Sequence, residues 1–355
     1  IMEFHQRILD LMTLENKLYS YQKYFCLFLS VNLIISCDIK RPYDELSGST
    51  FGTFYNIKFF SNDENIINKK EIDSIFSMFD NSLSTYIDNS TISKVNRGEN
   101  IQLDNLFIDV FNKSKVIYNK TGGMFDPSIG NLLEYYGFGP DKTINEINSN
   151  EILLILQSVG FDKVSIVNNK LVKQNQFTKL DFNAIAKGYA VDIVGEMLES
   201  KGVNDYMINI GGEIRSMGKN HFKDSFWKIG IENPEPKKQD DIISKKVKLN
   251  NVSIASSGNY RNYRVDPKTG IKYVHTINPL NGKSQQSNIL SASVISKSCF
   301  VADAYATAMM VGNLDYIINL TENNDEIESL IIYFDSNNNL SEYISDGFKE
   351  LIIEP

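Results

Sequence analysis

Asp303 and Thr307 stand four residues apart in the run Val301-Ala-Asp-Ala-Tyr-Ala-Thr-Ala-Met309, where Tyr305 is the only bulky immediate neighbour. On a helix that spacing turns both side chains to one face. A carboxylate and a hydroxyl on a face cleared of bulk form part of a site for a hard cation. Mg²⁺ takes oxygen ligands, commonly one or two carboxylates completed by water and substrate phosphate. The same pair would serve equally well as a buried Asp–Thr hydrogen bond at a helix crossing, so spacing alone leaves both readings open.

A second stretch, Asp181 to Asp192 (DFNAIAKGYAVD), predicts a helix with Asn183 as N-cap. Ile185, Tyr189, Ile193 and Met197 recur at four-residue intervals beside Val194 and Leu198, and Lys201-Gly202 ends the pattern. Ala184, Ala186 and Gly188 keep the helix start thin, so a large ligand could approach its backbone. Lys187 lies at the same end, and a helix N-terminus with a lysine attracts phosphate. An ordinary amphipathic helix with a small-residue packing contact fits the pattern too. In Gly122-Gly-Met-Phe-Asp-Pro-Ser-Ile-Gly130, two glycines permit close backbone approach and Pro127 restrains Asp126. A plain structural turn would look the same. Of three histidines, only His275 falls among candidate site residues. There is no G-x-G-x-x-G, no Walker A pattern and no G-x-S-x-G, which disfavours a Rossmann dehydrogenase, a P-loop ATPase and an α/β-hydrolase.

The elements that must carry these groups follow from the period of the apolar residues. Phe51 to Phe60 predicts the first strand, and Ile72, Ile75, Phe76 and Phe79 a helix. Leu83 to Asn96 is a hydroxyl-rich loop entering a short helix, and 104–120 is a helix stopped by Thr121-Gly122-Gly123. Residues 141–160 give a polar loop and then a helix from Ile152 to Val159. Val164 to Lys173 and Phe177 to Asp181 predict a hairpin delivering the chain to the helix at 183. Tyr206 to Arg215 reads as a strand broken by a glycine pair, with backbone against a ligand. Further strands are expected at Trp227 to Ile231, Val252 to Arg261 and Ile289 to Ile295, with a surface loop at 233–246. A turn at Asn281-Gly282, a helix over 300–312 and a closing hairpin (Leu330 to Asp335, Leu340 to Ile344) complete the chain. Strands that arrive as hairpins as well as between helices predict an α+β fold with largely antiparallel sheets and packed helices.

Composition agrees. The 355 residues are 42% hydrophobic and 23% charged, as in a soluble globular protein. A net charge of −8 argues against a nucleic-acid groove, so phosphate binding must be local. Lys17 and Lys23 precede an apolar run from Tyr24 to Ile35 that ends in Ile34-Ile35-Ser36-Cys37, the pattern of a secretory signal too short for a comfortable membrane span. It resembles a bacterial lipobox, with Cys37 lipidated as the mature N-terminus, and Met12 would begin a signal of ordinary length. The expected organisation is a signal over 1–36, a tether over 37–50 and one domain over 51–355. Cys26 lies in the signal and Cys37 is the lipid candidate, which leaves Cys299 without a disulfide partner.

The ordered set LSTY (83–86), S-x-I-S-x-V-N (90–96), TGGMFDPSIG (121–130), LDFNAIAKGYAVD (180–192), INIGGEIRSMG (208–218), SIASSGNYRNY (253–263), HTINPLNGK (275–283) and ADAYATAMMVG (302–312) resembles the ApbE family. These are bacterial FAD:protein FMN transferases, commonly periplasmic lipoproteins. Asn183 stands where the family often has Gly, Asn131 where Pro is common, and Phe51 where Met often precedes Gly-Thr. The resemblance implies a two-lobed, T-fold-like domain that binds FAD as substrate, with Mg²⁺ at its diphosphate. The metal ligands it implies are Asp303, Thr307 and the Ala184 carbonyl. Its implied FAD contacts are Phe51, Thr85, Tyr86, Met124, Phe125, Asp126, Asp181, Lys187, His275, Thr276 and Ile277, with His275, Lys187 and Asp181 taking catalytic roles. The implied reaction transfers FMN to a threonine hydroxyl of a target protein and releases AMP. Acceptors would be flavoprotein subunits of the Rnf or sodium-pumping quinone oxidoreductase type, met by an enzyme anchored through Cys37 and facing the periplasm or exterior. With water as nucleophile the same site would be an FAD pyrophosphatase; without turnover it would be an FAD-binding lipoprotein.

Overall fold

The computed structural model describes residues 43–355 apart from 62–65, 142–145, 237–241, 260–262, 266–269, 285–286 and 354–355. The signal, its Cys37 boundary and Tyr260-Arg261 of the 253–263 motif lie outside the described residues. The chain opens with β1 (Asp44–Thr50) and β2 (Thr53–Phe59), followed by α1 (Lys69–Leu83), α2 (Thr91–Asn96), α3 (Asn105–Lys120), α4 (Gly130–Tyr135) and α5 (Ser149–Leu156). A small hairpin of β3 (Val164–Val167) and β4 (Lys170–Lys173) precedes α6 (Asn183–Ser200). Then come β5 (Tyr206–Ile210), β6 (Glu213–Met217), β7 (Trp227–Glu232), β8 (Ile243–Leu249), β9 (Ser253–Gly258), β10 (Tyr263–Val265), β11 (Lys272–Val274) and β12 (Ile289–Ser296). The last part holds α7 (Cys299–Val311), α8 (Leu314–Glu322), β13 (Glu328–Phe334), β14 (Leu340–Ile344), α9 (Asp346–Lys349) and β15 (Ile352–Ile353).

Eight strands join in the order β1-β2-β5-β6-β9-β12-β13-β14, and every pairing is antiparallel. Period-two alternation sorts neighbouring residues onto opposite faces. Ile208, Ile210, Ala255, Val294 and Ile331 enter the main core beneath the helices. Ile214, Ile254, Ile295 and Leu330 point the other way, to a second core with Trp227, Val247, Leu249 and Phe348. There the sheet is covered by the three-stranded β15-β8-β7 layer. Burial on both faces accounts for the continuous apolar run Leu330 to Phe334 in β13. A third cluster, with Leu132, Tyr136, Ile152 and Ile277, ties α4 and α5 to the 275–284 loop.

Several expectations are corrected. Residues 44–50, expected in the tether, form β1, paired along its length with β2. Its sequence (DELSGST) carries one apolar residue, Leu46, so an edge strand looked like a linker. The turn between the strands is Phe51-Gly52, both at positive φ. The glycine pair does not interrupt one strand; Gly211 and Gly212 (φ 62° and 107°) turn β5 into β6. Most of the expected 233–246 loop precedes β8, which begins at Ile243. The hairpin before α6 is β3–β4 alone; 177–181 runs instead beside the start of α4, through an isolated parallel bridge from Ile129 to Lys179, the Asn131 Nδ2 bond to the Phe177 carbonyl and the Lys179–Glu134 ion pair.

Candidate functional site

α6 is buried around most of its circumference, from Ile185 through Leu198. It lies against β5 and β6, packs on α1, and crosses α7. Asn183 is not its N-cap. The cap position falls on Phe182, and the Asp181 carboxylate accepts from the Asn183 backbone N–H at 2.7 Å and from its Nδ2 at 2.9 Å. The acidic residue thus supplies the capping oxygen one position earlier, because a carboxylate is a stronger acceptor than an amide for orphan N–H groups. Asp181 itself is anchored through its N–H to the Pro127 carbonyl at 2.8 Å, which joins the 122–130 turn to the helix start. Burial pushes its carboxyl up to about 6, against the pull of the Asn183 hydrogen bonds.

The α6–α7 crossing is closest at Gly188. A Cβ there would lie 2.6 Å from the Cys299 carbonyl and 2.8 Å from the Asp303 Cβ. Only glycine allows this approach, and it sets Asp303, 4% exposed, against the α6 backbone. The Gly188 N–H donates to Asp303 Oδ2 at 3.0 Å. Helix geometry otherwise directs that N–H at the Ala184 carbonyl. Sharing it with Asp303 leaves the Ala184 oxygen spare acceptor capacity. Burial raises the Asp303 pKa, opposed by the nearby Lys187 charge. Thr307 follows one turn along α7, partly buried. The implied donor set is therefore oxygen only, with a buried carboxylate that a cation would compensate. It suits Mg²⁺ and not a softer metal.

Lys187 is not an uncompensated cation. It is the fifth residue of α6, past the first turn, and its Nζ is ion-paired with Glu213 Oε1 at the start of β6. Burial acts to lower its pKa, but the Glu213 and Asp303 charges outweigh this and hold it above the usual range. Further along α6, Asp192 accepts from the backbone N–H groups of Cys299 and Phe300, both at 2.9 Å, and from Ser298 Oγ at 2.7 Å. It caps α7 across the crossing and also pairs with Arg215 at 3.1 Å. That network positions α7, and with it Asp303.

The other expected contacts divide. Asn183 Nδ2 reaches Thr85 Oγ1 at 3.5 Å, and the exposed Tyr86 donates to the Phe138 carbonyl at 3.5 Å. Burial, then the Asp181 charge, raises the Tyr86 pKa, and Arg264 opposes them. Phe138 meets the His275 ring edge-on at 6.4 Å and carries the Arg264 guanidinium 5.3 Å above it. Tyr86, Phe138, Arg264 and His275 therefore form one chain of contacts, and Tyr86 lies near enough to Asp181 to feel its charge. Thr276 donates to Asn259 Oδ1 at 2.6 Å, and the Asn259 Nδ2 is buried without a partner among the described residues. Phe51 packs on Phe76 and Phe79, and Met124 lies partly buried on the main core.

The side chains of Phe125, Asp126 and Ile277 are turned inward, which leaves their backbone to meet a ligand. Phe125 is 2% exposed in the main core, and Ile277 is 2% exposed in the third cluster. Asp126 accepts from the Ser128 N–H and Oγ at 2.7 and 2.6 Å and from the Phe161 N–H at 3.3 Å. Its carboxylate holds the turn, and burial raises its pKa. Sequence reading missed Glu213, Phe138 and Arg264. A buried acid directly after a glycine turn was a signal for Glu213; nothing in the pattern marked the other two.

An α+β domain of this topology has parallels among known proteins. The ApbE family model matches residues 51–331, and the chain belongs to that family. A Vibrio cholerae relative named FAD:protein FMN transferase is 31% identical over 91% of this chain and 97% of its own length. A Haemophilus influenzae relative of the same name is 31% identical over 90% of this chain and 94% of its own. The solved flavin transferase ApbE from Vibrio cholerae superposes with a TM-score of 0.76 at 30% identity, covering 87% of this chain and 98% of that one. The apo flavinyl transferase ApbE of Pseudomonas stutzeri gives 0.77 at 28% identity, over 87% and 96%.

Proposed function

We propose that this chain, an FAD:protein FMN transferase, moves FMN from FAD to a threonine hydroxyl of an acceptor protein with a divalent cation, and releases AMP. The observation that carries the cation requirement is Asp303, a buried carboxylate held against the α6 backbone by Gly188 and one helical turn from Thr307. Asp303, Thr307 and the Ala184 carbonyl would hold the ion. When bound, it supplies positive charge at the diphosphate, where charge builds up as the leaving phosphate departs. The thin start of α6 admits the diphosphate, and Lys187, 30% exposed and with ammonium protons beyond those Glu213 takes, faces it as a second cation. The threonine oxygen forms a bond to the FMN-side phosphorus, the P–O–P bridge breaks, and AMP leaves with the bridging oxygen. Asp181 and His275 are the groups at this end able to accept the hydroxyl proton; the raised pKa of Asp181 suits it to that task near neutral pH.

The sequence of residues 1–42 supports export and lipidation at Cys37, which would place the domain on the periplasmic or outer face of a membrane. Acceptor subunits of ion-pumping redox complexes would meet it there. Mass spectrometry of native protein should find residues 1–36 absent and Cys37 acylated. The reaction is tested by incubating the protein with FAD, Mg²⁺ and an acceptor, then reading flavin fluorescence in a denaturing gel. Acceptor-linked fluorescence is the expected result, abolished by EDTA and by Asp303→Ala. Free FMN with AMP would mean hydrolysis, and unchanged FAD would mean storage.

A further inference from the structure

Glu213 has no part in the reaction as written, yet it is a buried carboxylate paired with Lys187 of α6. It opens β6 directly after the Gly211-Gly212 turn and is 3% exposed. One oxygen takes the Lys187 ammonium; the other, Oε2, is buried with no hydrogen-bond partner among the described residues. A buried carboxylate oxygen without a donor is costly, and folds retain such groups where something other than stability depends on them.

Lys187 and Gly188 are consecutive, and Gly188 donates its N–H to Asp303. The Lys187 side chain therefore leaves α6 beside two carboxylates, Glu213 and Asp303, and both charges act on it. An ammonium carries three N–H donors and can pair with either carboxylate. Here it pairs with Glu213, and among the described residues Asp303 keeps the Gly188 N–H on Oδ2. If Glu213 were neutral, the nearest anion for Lys187 would be Asp303, and attraction between poorly solvated opposite charges is strong. Such a pair would neutralise the carboxylate that a cation requires.

We infer that Glu213 is a positioning residue: it holds the Lys187 ammonium away from Asp303 and so keeps Asp303 open to a divalent cation. The inference rests on the reading of Asp303 as a cation ligand. It also gives the glycine turn a purpose, because a tight β5–β6 hairpin fixes Glu213 at the first position of β6, opposite Ile210 and level with α6.

The test measures cation binding directly, in the full domain without FAD, by Mn²⁺ paramagnetic resonance and Mg²⁺ calorimetry. Four proteins are compared: wild type, Glu213→Gln, Lys187→Met and the double variant. Glu213→Gln should weaken cation binding by about 10–100-fold, the range for groups that support a metal ligand. The double variant has no ammonium to collapse onto Asp303, so its affinity should return to within about threefold of wild type, and Lys187→Met alone should bind at least as tightly as wild type. The double variant also loses both charges of the pair together, a change that such pairs tolerate, so folding is not the limiting factor. Wild-type affinity in Glu213→Gln would overturn the inference. So would a double variant as weak as Glu213→Gln, which would make Glu213 itself a ligand. A wild type that takes up neither ion would instead overturn the reading of Asp303, and the inference with it.

Discussion

At the scale of single residues, Lys187 shows what sequence can and cannot disclose. Its place near a helix start was legible, and from the sequence the anion expected beside it was a ligand phosphate. The anion found is Glu213, 26 residues further along the chain, which only the β5–β6 turn brings to α6. Lys187→Met should therefore destabilise the ligand-free protein, because it leaves Glu213 buried and unpaired. The loss should be about 1–3 kcal/mol, below the ~3–5 kcal/mol of a fully buried pair since Lys187 is partly exposed. Urea unfolding of both proteins checks this, and equal midpoints would show the pair to be worth nothing. Asp181 yields a pH prediction. Its folded-state pKa is raised by burial to about 6 from 3.8. An acid with a raised folded pKa favours folding below its unfolded pKa, and that contribution is lost as pH rises through the folded value. Relative to Asp181→Asn, whose amide oxygen can still cap Asn183, wild type should lose stability from about pH 4 to pH 7 and change little above. Thermal melts across that range would show a constant difference if the carboxyl titrates normally.

At the scale of elements, the helices were legible because their apolar periods are long and their stops are explicit. The structure ends α3 at Lys120, immediately before Thr121-Gly122-Gly123, and closes α6 with Lys201 and a positive-φ Gly202. The crossing between α6 and α7 was not legible, because close approach depends on which helices meet. Gly188 looked like one of several small residues, yet its missing side chain sets the contact with Cys299 and Asp303. Gly188→Ala improves local helix propensity. It should nonetheless destabilise the protein by about 1–3 kcal/mol, because the new methyl group must push α7 away. The displaced Asp303 should also weaken Mn²⁺ uptake. A variant that is more stable and binds Mn²⁺ normally would show that the crossing has slack. Asp192 was likewise hidden as a third function of α6. An aspartate on a predicted buried face reads as an anomaly until the N-terminus of α7 arrives against it.

At the scale of the whole molecule, the α+β class and the antiparallel hairpins followed from patterning, but the edge of the large sheet did not. The family model begins at Phe51, and sequence reading placed the first strand there as well. The structure adds β1 outside it, with seven residue pairs between Asp44↔Phe59 and Thr50↔Thr53. Leu46 packs on the main core, Tyr43 meets Phe60 edge-on at 6.3 Å, and the Lys58 ammonium lies 4.9 Å over the Tyr43 ring. Gly48 lies flat against Tyr55, where a Cβ would come within 2.8 Å of the ring. Without β1, the apolar β2 would become an unprotected sheet edge, and exposed edges of this kind invite pairing with other chains. A protein truncated to begin at Phe51 should therefore melt several degrees lower than one beginning at Tyr43 and should aggregate on heating. The loss of a strand's ladder and of Leu46 burial amounts to about 2–4 kcal/mol. Its Mn²⁺ affinity, set at the α6–α7 crossing, should stay within about threefold, because that crossing shares no residue with β1. Equal melting temperatures would reduce β1 to a tether, as its polar sequence first suggested.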